Sequence, residues 1–297
     1  MRKKRSNAGQ FLRFICVLLV LALAIVVTIG VGQSIWSLAQ EGKSGGKSDI
    51  VTSVKSESSV SDIKAQKNSV EETEATPEKN CIDRFAEAHG LSRAAWPEEL
   101  IELLERNPDA EEFVLNYPLK KDQSFEIDLS EHEHCKNVPL FFQWDERWGY
   151  TIYGSNVMGL TGCGPTCLSM VCLYLLDDAA YTPCYVADFA EENGYYVEGS
   201  GSAWTLISEG GETLGLDVTE IPLDEKRIVK NLELGNPVVC IMGPGDFTTT
   251  GHFIVLADCK DGRFVVNDPN SKTNSERLWS YDEIKGQIKN LWVCRAK

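Results

Sequence analysis

Residues 14–32 form an uninterrupted apolar run, and no other stretch limits the possible folds of this chain so strongly. As a helix, such a run is long enough to cross the hydrocarbon core of a bilayer. Ahead of it lie Arg2, Lys3, Lys4, Arg5 and Arg13, with no acid in the first 40 residues. A basic flank of this kind stays on the cytoplasmic side and sends the rest of the chain outside. The expected arrangement is a cytoplasmic tail at 1–13 and a single-pass transmembrane signal anchor at 14–36. A second reading is a cleaved signal peptide, with Ser37 and Ala39 as the small residues before a cut after Ala39. The first reading leaves an extracellular domain tethered to a cell membrane, and the second a secreted one.

Residues 41–80 contain no Phe, Trp, Tyr, Leu or Met and are rich in Ser, Lys, Glu and Gly. They cannot bury enough apolar area to offset the entropy of ordering, so a disordered linker is expected. The chain beyond residue 40 carries all 44 acids against 24 of the 29 bases, a charge of −20. An acidic surface repels phosphate backbones, which argues against nucleic acid as a partner.

Folded structure is expected from residue 81. Trp96-Pro97-Glu98-Glu99 reads as a helix start, with Pro in the first turn and acids at the positive end of the dipole. Leu100, Leu103 and Leu104 continue it until Asn107-Pro108 stops it, and Asp109 could cap a shorter helix through Phe113 and Val114. These form a small helical segment at 81–130. From 138 to 297 the pattern is mixed. Helices are expected near Cys163–Leu176, at 204–214, 224–234 and 281–289. Strands are expected at 237–242, 252–259, 263–267 and 291–294. Helices first and consecutive strands late indicate an α+β domain.

Thr161-Gly162-Cys163-Gly164-Pro165-Thr166 sets a cysteine at the mouth of an apolar helix. The partial positive charge and free N–H groups of a helix N-terminus favour thiolate over thiol. The flanking glycines would let a substrate carbonyl approach, and the Cys163 N–H could donate to an oxyanion. A thiolate nucleophile works with a base. Of the four histidines, only His252 lies in the α+β region, where it opens the apolar strand Gly251-His252-Phe253-Ile254-Val255-Leu256. Asn267-Asp268-Pro269 ends the next strand, across the turn Lys260-Asp261-Gly262. A two-residue loop would set Asp268 opposite Val255, facing away from His252. A three-residue loop at 260–262 sets it opposite Ile254, diagonal to His252 on the same face. The three-residue form is therefore expected. Gln143, in Leu140-Phe141-Phe142-Gln143-Trp144-Asp145, is one of several amides that could donate to an oxyanion.

Together, Val-Pro-Leu-Phe-Phe-Gln-Trp-Asp-Glu-Arg-Trp-Gly from residue 138, Gly-Cys-Gly-Pro-Thr, Gly-His-Phe-Ile-Val-Leu and Asn-Asp-Pro resemble the bacteriocin-leader (double-glycine) peptidase-like family, above all its stand-alone extracellular branch. The resemblance covers about 138–297. It implies a papain-like cysteine peptidase fold, with a helical part carrying the nucleophile and an antiparallel sheet carrying His and Asp. It assigns Cys163 as nucleophile, His252 as base, Asp268 as its orienter and Gln143 to the oxyanion. The sequence departs from the leader-processing transporters in lacking an ATPase or multi-span segment, which puts cleavage after double glycine during export in doubt. The expected activity is amide-bond hydrolysis on a peptide or protein by a monomer, without metal or organic cofactor. A non-catalytic adhesion module on this fold and an acyl or isopeptide transferase are the competing readings.

Four cysteines, Cys167, Cys172, Cys240 and Cys259, read as small buried hydrophobes. Cys81, Cys135, Cys184 and Cys294 are the candidates for disulfides in an exported chain. His132-Glu133-His134-Cys135 has the residue types of a metal site but lacks a second cluster. The glycine-rich stretches 199–204 and 243–250 could each wall a cleft or simply connect elements.

Overall fold

A computed structural model describes residues 80–297; the tail, the anchor and all but the last residue of the linker expected at 41–80 lie outside the described residues. Among the described residues no helix is long and apolar enough to cross a membrane.

Three helices come first. Asn80 caps α1 (Cys81–His89) by accepting the Asp83 N–H at 2.9 Å, and Gly90 ends it in the left-handed conformation. Helix α2 (Glu98–Arg106) carries Glu98 and Glu99 in its first turn and Arg106 in its last, matching the helix dipole at both ends. The next cap is Asn107 rather than Asp109. Its Oδ1 accepts the Asp109 N–H at 3.3 Å, and a short 3₁₀ turn leads into α3 (Glu111–Lys120). The three helices bury Leu100, Phe113 and Val114 in a cluster that also takes in Tyr150 and Val157 from the next segment. Polar ties hold the same seam. Glu146 pairs with Lys120, accepts from Asn116 at 2.9 Å, and accepts from the Tyr150 hydroxyl at 2.8 Å.

The hairpin of β1 (Ile152–Tyr153) and β2 (Asn156–Val157) feeds α4 (Met158–Thr161) and then α5 (Cys163–Leu176). Helix α5 is buried from Gly164 to Leu173 on every side. All-round apolarity is the signature of a helix packed inside a domain. Helix α6 (Pro183–Glu192), the hairpin of β3 (Tyr196–Val197) and β4 (Gly201–Ser202), and a π turn at Leu206–Gly210 running into α7 (Gly211–Thr213) complete this helical half.

The second half is a six-stranded antiparallel sheet. Its strands are β5 (Leu216–Glu220), β6 (Val238–Met242), β7 (His252–Lys260), β8 (Arg263–Asn267), β9 (Leu278–Trp279) and β10 (Ile288–Ala296), in the order β5-β10-β6-β7-β8-β9. Helices α8 (Glu225–Glu233), α9 (Lys272–Glu276) and α10 (Tyr281–Ile284) sit in its connections. Alternate residues of the central strands serve two cores. Val239, Ile241, Phe253 and Val255 pack with α5 on one face. Val238, Cys240, Ile254 and Leu256 pack with Ile228 and Leu232 of α8 on the other. This is the α+β architecture expected from the element pattern.

Further local expectations change, and the helix expected at 204–214 is a π turn at Leu206–Gly210 followed by the short α7. The last helix ends at Ile284, and the last strand takes up nine residues from Ile288. Strand β5 and helix α6 have no clear mark in the sequence. Exposed Asp217 and Glu220 hide the apolar side of β5, and the apolar stripe of α6 is narrow. The β7–β8 turn has two residues, not three. Lys260 pairs with Arg263, and Asp261 and Gly262 both take positive φ, at 50° and 75°. That is the type I′ geometry of an Asp-Gly hairpin. The register then slips between Leu256 and Asp258, so Ala257 bulges and Val255 pairs with Asn267. The bulge supplies the one-residue shift that a longer turn would have given, and Asp268 falls across from Ile254.

Candidate active site

Cys163 begins α5 at the point where the helical half meets the sheet. The first N–H groups of a helix have no intrahelical acceptors, so they point positive potential at whatever sits there. Burial pushes the Cys163 thiol up. The hydrogen bond and charge of His252 and the N–H groups of Phe253 and Gly164 outweigh it and hold the thiol below its ordinary value. Gly162 and Gly164 are small because of the chain itself rather than a substrate. A Cβ on Gly164 would lie 2.5 Å from Ser202 Oγ, and one on Gly162 would lie 2.6 Å from the Met158 carbonyl. Ser202 in turn shares a 2.7 Å hydrogen bond with buried Tyr153.

His252 opens β7 and is 6% exposed. Its Nε2 meets Asp268 Oδ1 at 2.7 Å, and the Cys163 thiol lies near enough to act on the same ring. Burial pulls its pKa down, but the Asp268 charge and hydrogen bond, with the Cys163 contact, raise it to about 10. The two shifts run in the directions that favour a thiolate–imidazolium pair at neutral pH.

Asp268 is fully buried and held on all sides. The Asn270 N–H donates to Oδ1 at 2.8 Å, and Asn274 Nδ2 donates to Oδ2 at 2.8 Å. Its own N–H donates to Ser275 Oγ at 3.0 Å. Burying a carboxyl group is costly unless its oxygens are hydrogen-bonded, and these donors supply the bonds. Gln143 is 3% exposed. Its Nε2 donates to the Gly159 carbonyl at 2.9 Å, and its backbone N–H donates to the Pro269 carbonyl at 2.7 Å. An amide nitrogen has two hydrogens, so one remains for another acceptor.

Cys163, His252 and Gln143 line one open cleft of about 920 Å³. The stretches 199–201 and 245–251 also line it, so both glycine-rich segments wall the cleft. The sequence profile of the Peptidase_C39 like family matches residues 135–296, the stretch that contains all four residues. The chain belongs to the C39-like peptidase family. This is the family to which the Gly-Cys-Gly-Pro-Thr and Gly-His-Phe elements point.

Solved structures similar to this C39-like chain include three peptidases. The peptidase domain of Streptococcus ComA, a bi-functional ABC transporter involved in a quorum sensing pathway, shares 17% identity over 46% of this chain and 93% of that one, with a TM-score of 0.38. A putative C39-like peptidase from Bacillus anthracis shares 15% over 58% and 98%, with a TM-score of 0.36. A double glycine motif protease from an AMS/PCAT transporter, in complex with its leader peptide, shares 16% over 55% and 96%, with a TM-score of 0.34. No curated protein matches the chain.

Several residues of the C39-like site escape a reading of the sequence. Asn270, Asn274 and Ser275 follow the Asn-Asp-Pro element closely, and a loop dense in Asn and Ser after a buried Asp is the available signal. Ser202 and Tyr153 carry no signal of their own. The disulfide expectation fails. Cys81, Cys135, Cys184 and Cys294 are free thiols, and Cys294 is buried like Cys167, Cys172 and Cys240. Apolar surroundings make each of these buried four a packing residue. In the His132-Glu133-His134-Cys135 stretch, His132 sets its ring edge against Phe141 and His134 pairs with Asp177. Among the described residues no group of three or more His, Cys, Asp or Glu is arranged to hold a metal ion.

Proposed function

We propose that this C39-like chain is a cysteine peptidase with Cys163 as nucleophile, His252 as proton carrier, Asp268 as orienter and Gln143 as oxyanion donor. The observation that carries it is the arrangement at the α5 mouth: Cys163 lines the cleft beside His252, whose charge holds the thiol below its ordinary value, and a buried carboxylate 2.7 Å from the ring fixes that histidine.

The Cys163 thiolate attacks the peptide carbonyl carbon, and the carbonyl oxygen becomes an oxyanion. The Cys163 N–H and the spare Gln143 N–H donate to it as charge develops. The imidazolium of His252 gives its proton to the leaving amine, the C–N bond breaks and a thioester remains. Water attacks the thioester while His252 takes its proton, and the acid product leaves with the thiol restored. Asp268 holds the ring in place and stabilises each imidazolium state.

The apolar run at 14–32 and its basic flank support an extracellular, membrane-tethered position for this domain. Its open cleft suits an extended peptide or protein segment bound by a monomer. The test is incubation of the full chain with a mixed peptide library. The expected result is new peptide termini that vanish in Cys163→Ala. Absence of any Cys163-dependent cleavage, with iodoacetamide labelling Cys163 no faster than the other thiols, would leave a binding module on this fold.

A further inference from the structure

The helices upstream of the family match meet the loop that follows β8 at the break between α2 and α3. There Asn107, 9% exposed, directs its amide at a segment 163 residues further along the chain. Nδ2 donates to the main-chain carbonyl of Asn270 and lies 3.5 Å from its side-chain oxygen. The Trp144 indole N–H donates to the same carbonyl at 3.1 Å. The N–H of Asn270 donates to Asp268 Oδ1, the atom that also meets His252. Asn270 is therefore gripped at its carbonyl by two donors, and through its N–H it grips the carboxylate. Carbonyl and N–H flank one Cα and each belongs to a planar peptide, so fixing the first restricts the second.

The same break also walls the cleft, through Leu103, Arg106, Pro108 and Asp109. A spacer that merely covered an apolar face would not need a buried amide. Burying one is costly unless it is hydrogen-bonded, and here both ends are used: Oδ1 for the Asp109 cap and Nδ2 for Asn270. We propose that Asn107 is a positioning residue for the Asp268–His252 pair, so that the helical segment ahead of residue 135 belongs to the catalytic unit. The inference rests on the reaction proposed above. Asn107 acts through Asn270 and touches no reacting atom.

The test is the pH dependence of iodoacetamide alkylation at Cys163 in the full chain, read beside thermal melting. Asn107→Ser keeps an oxygen to cap Asp109 but is too short to reach Asn270. Trp144→Phe keeps an aromatic ring to stack on Phe142 and removes the indole N–H. Lys120→Met breaks the pair with Glu146 at the far end of the same seam. A loosened Asp268 stabilises the imidazolium less. In Asn107→Ser and Trp144→Phe the acid-side inflection should therefore rise by about half a pH unit, roughly a threefold loss of thiolate below it. Lys120→Met should lower the melting temperature and leave the inflection in place. An unmoved inflection in folded Asn107→Ser would reduce the residue to a structural tie and overturn the proposal. Should Asn107→Ser not fold, Asn107→Thr, which also keeps an oxygen for the Asp109 cap and lacks the Nδ2 donor, decides in the same way. If the wild-type chain itself shows no lowered inflection at Cys163, the proposed reaction fails and this inference with it. If the wild type shows one and the variants match it, only the positioning role is lost.

Discussion

Cys163 and Cys167 stand one helical turn apart on α5, and the fold treats them in opposite ways. Cys163 sits at the mouth, lines the cleft and faces His252; its thiol is held below its ordinary value. Cys167 lies in the shaft with no exposed surface. Burial pushes its thiol well above the ordinary value, and the charges of Cys163, Asp268 and Cys240 add to the effect. Neither chemistry nor helix differs between them. What differs is the end of the helix, where N–H groups lack partners, and the presence of one imidazole. Those two features, with the Phe253 N–H, hold the thiol at the mouth below its ordinary value while the one in the shaft is pushed up.

Removing the imidazole is the strongest way to break that contrast. In His252→Ala the Cys163 thiol keeps its burial and loses the hydrogen bond and charge that opposed it. Iodoacetamide labelling of Cys163 near neutral pH should fall by roughly 100-fold or more, since partnered thiols sit several pH units below free ones. Cys167 should stay unlabelled in both proteins. Selective labelling that survives His252→Ala would show that the helix terminus alone activates the thiol.

Asp268→Asn tests the same pair at one remove. It keeps a side chain of the same shape and deletes the charge that raises His252 to about 10. The thiolate–imidazolium pair exists between the lowered Cys163 pKa and the raised His252 pKa. Losing the carboxylate lowers the upper bound and raises the lower one, so the active window should narrow from both sides. Turnover should drop by roughly 100-fold or more, as expected where a neutral group replaces the orienting carboxylate. An alkaline limb that stays near its wild-type position would mean Asp268 is not the source of the shift.

Gln143→Ala separates oxyanion support from thiol activation. Acylation of Cys163 by p-nitrophenyl acetate passes through an oxyanion, whereas alkylation by iodoacetamide does not. Loss of one donor should slow acylation by about 100-fold and leave the alkylation profile unchanged. Equal loss in both reactions would make Gln143 a structural residue that holds Gly159 and Pro269 in place.

The mouth is easier to read in the sequence than its supports. A Cys between glycines at the start of an apolar run, and one His opening an apolar strand, are local patterns, and α5, β7 and β8 begin where those patterns begin. The contact between His252 and Asp268 is legible only in outcome. A face argument requires Asp268 to lie opposite Ile254, and the device it suggests is a three-residue turn. The chain uses a two-residue turn with a bulge at Ala257, and no residue type marks a bulge in Leu-Ala-Asp. Asn107 reads as a helix breaker, which it is. Its second bond crosses 163 residues, and a contact of that separation leaves no trace in local spacing.

The smallest effect belongs to the shaft. Cys167→Ser replaces a weakly polar thiol by a hydroxyl in a site with no exposed surface. A buried hydroxyl without a partner costs about 1–3 kcal/mol. A helical serine can, however, bond back to the carbonyl four residues earlier, which here is that of Cys163. The expected loss of unfolding free energy is therefore at the low end, about 1 kcal/mol, measured by urea denaturation. Labelling of Cys163 should keep its wild-type rate and pH profile, because nothing at the mouth loses a partner. The opposite pattern, unchanged stability with slowed labelling, would mean that the serine hydroxyl draws the first turn of α5 out of line, and that mouth and shaft are one site rather than two.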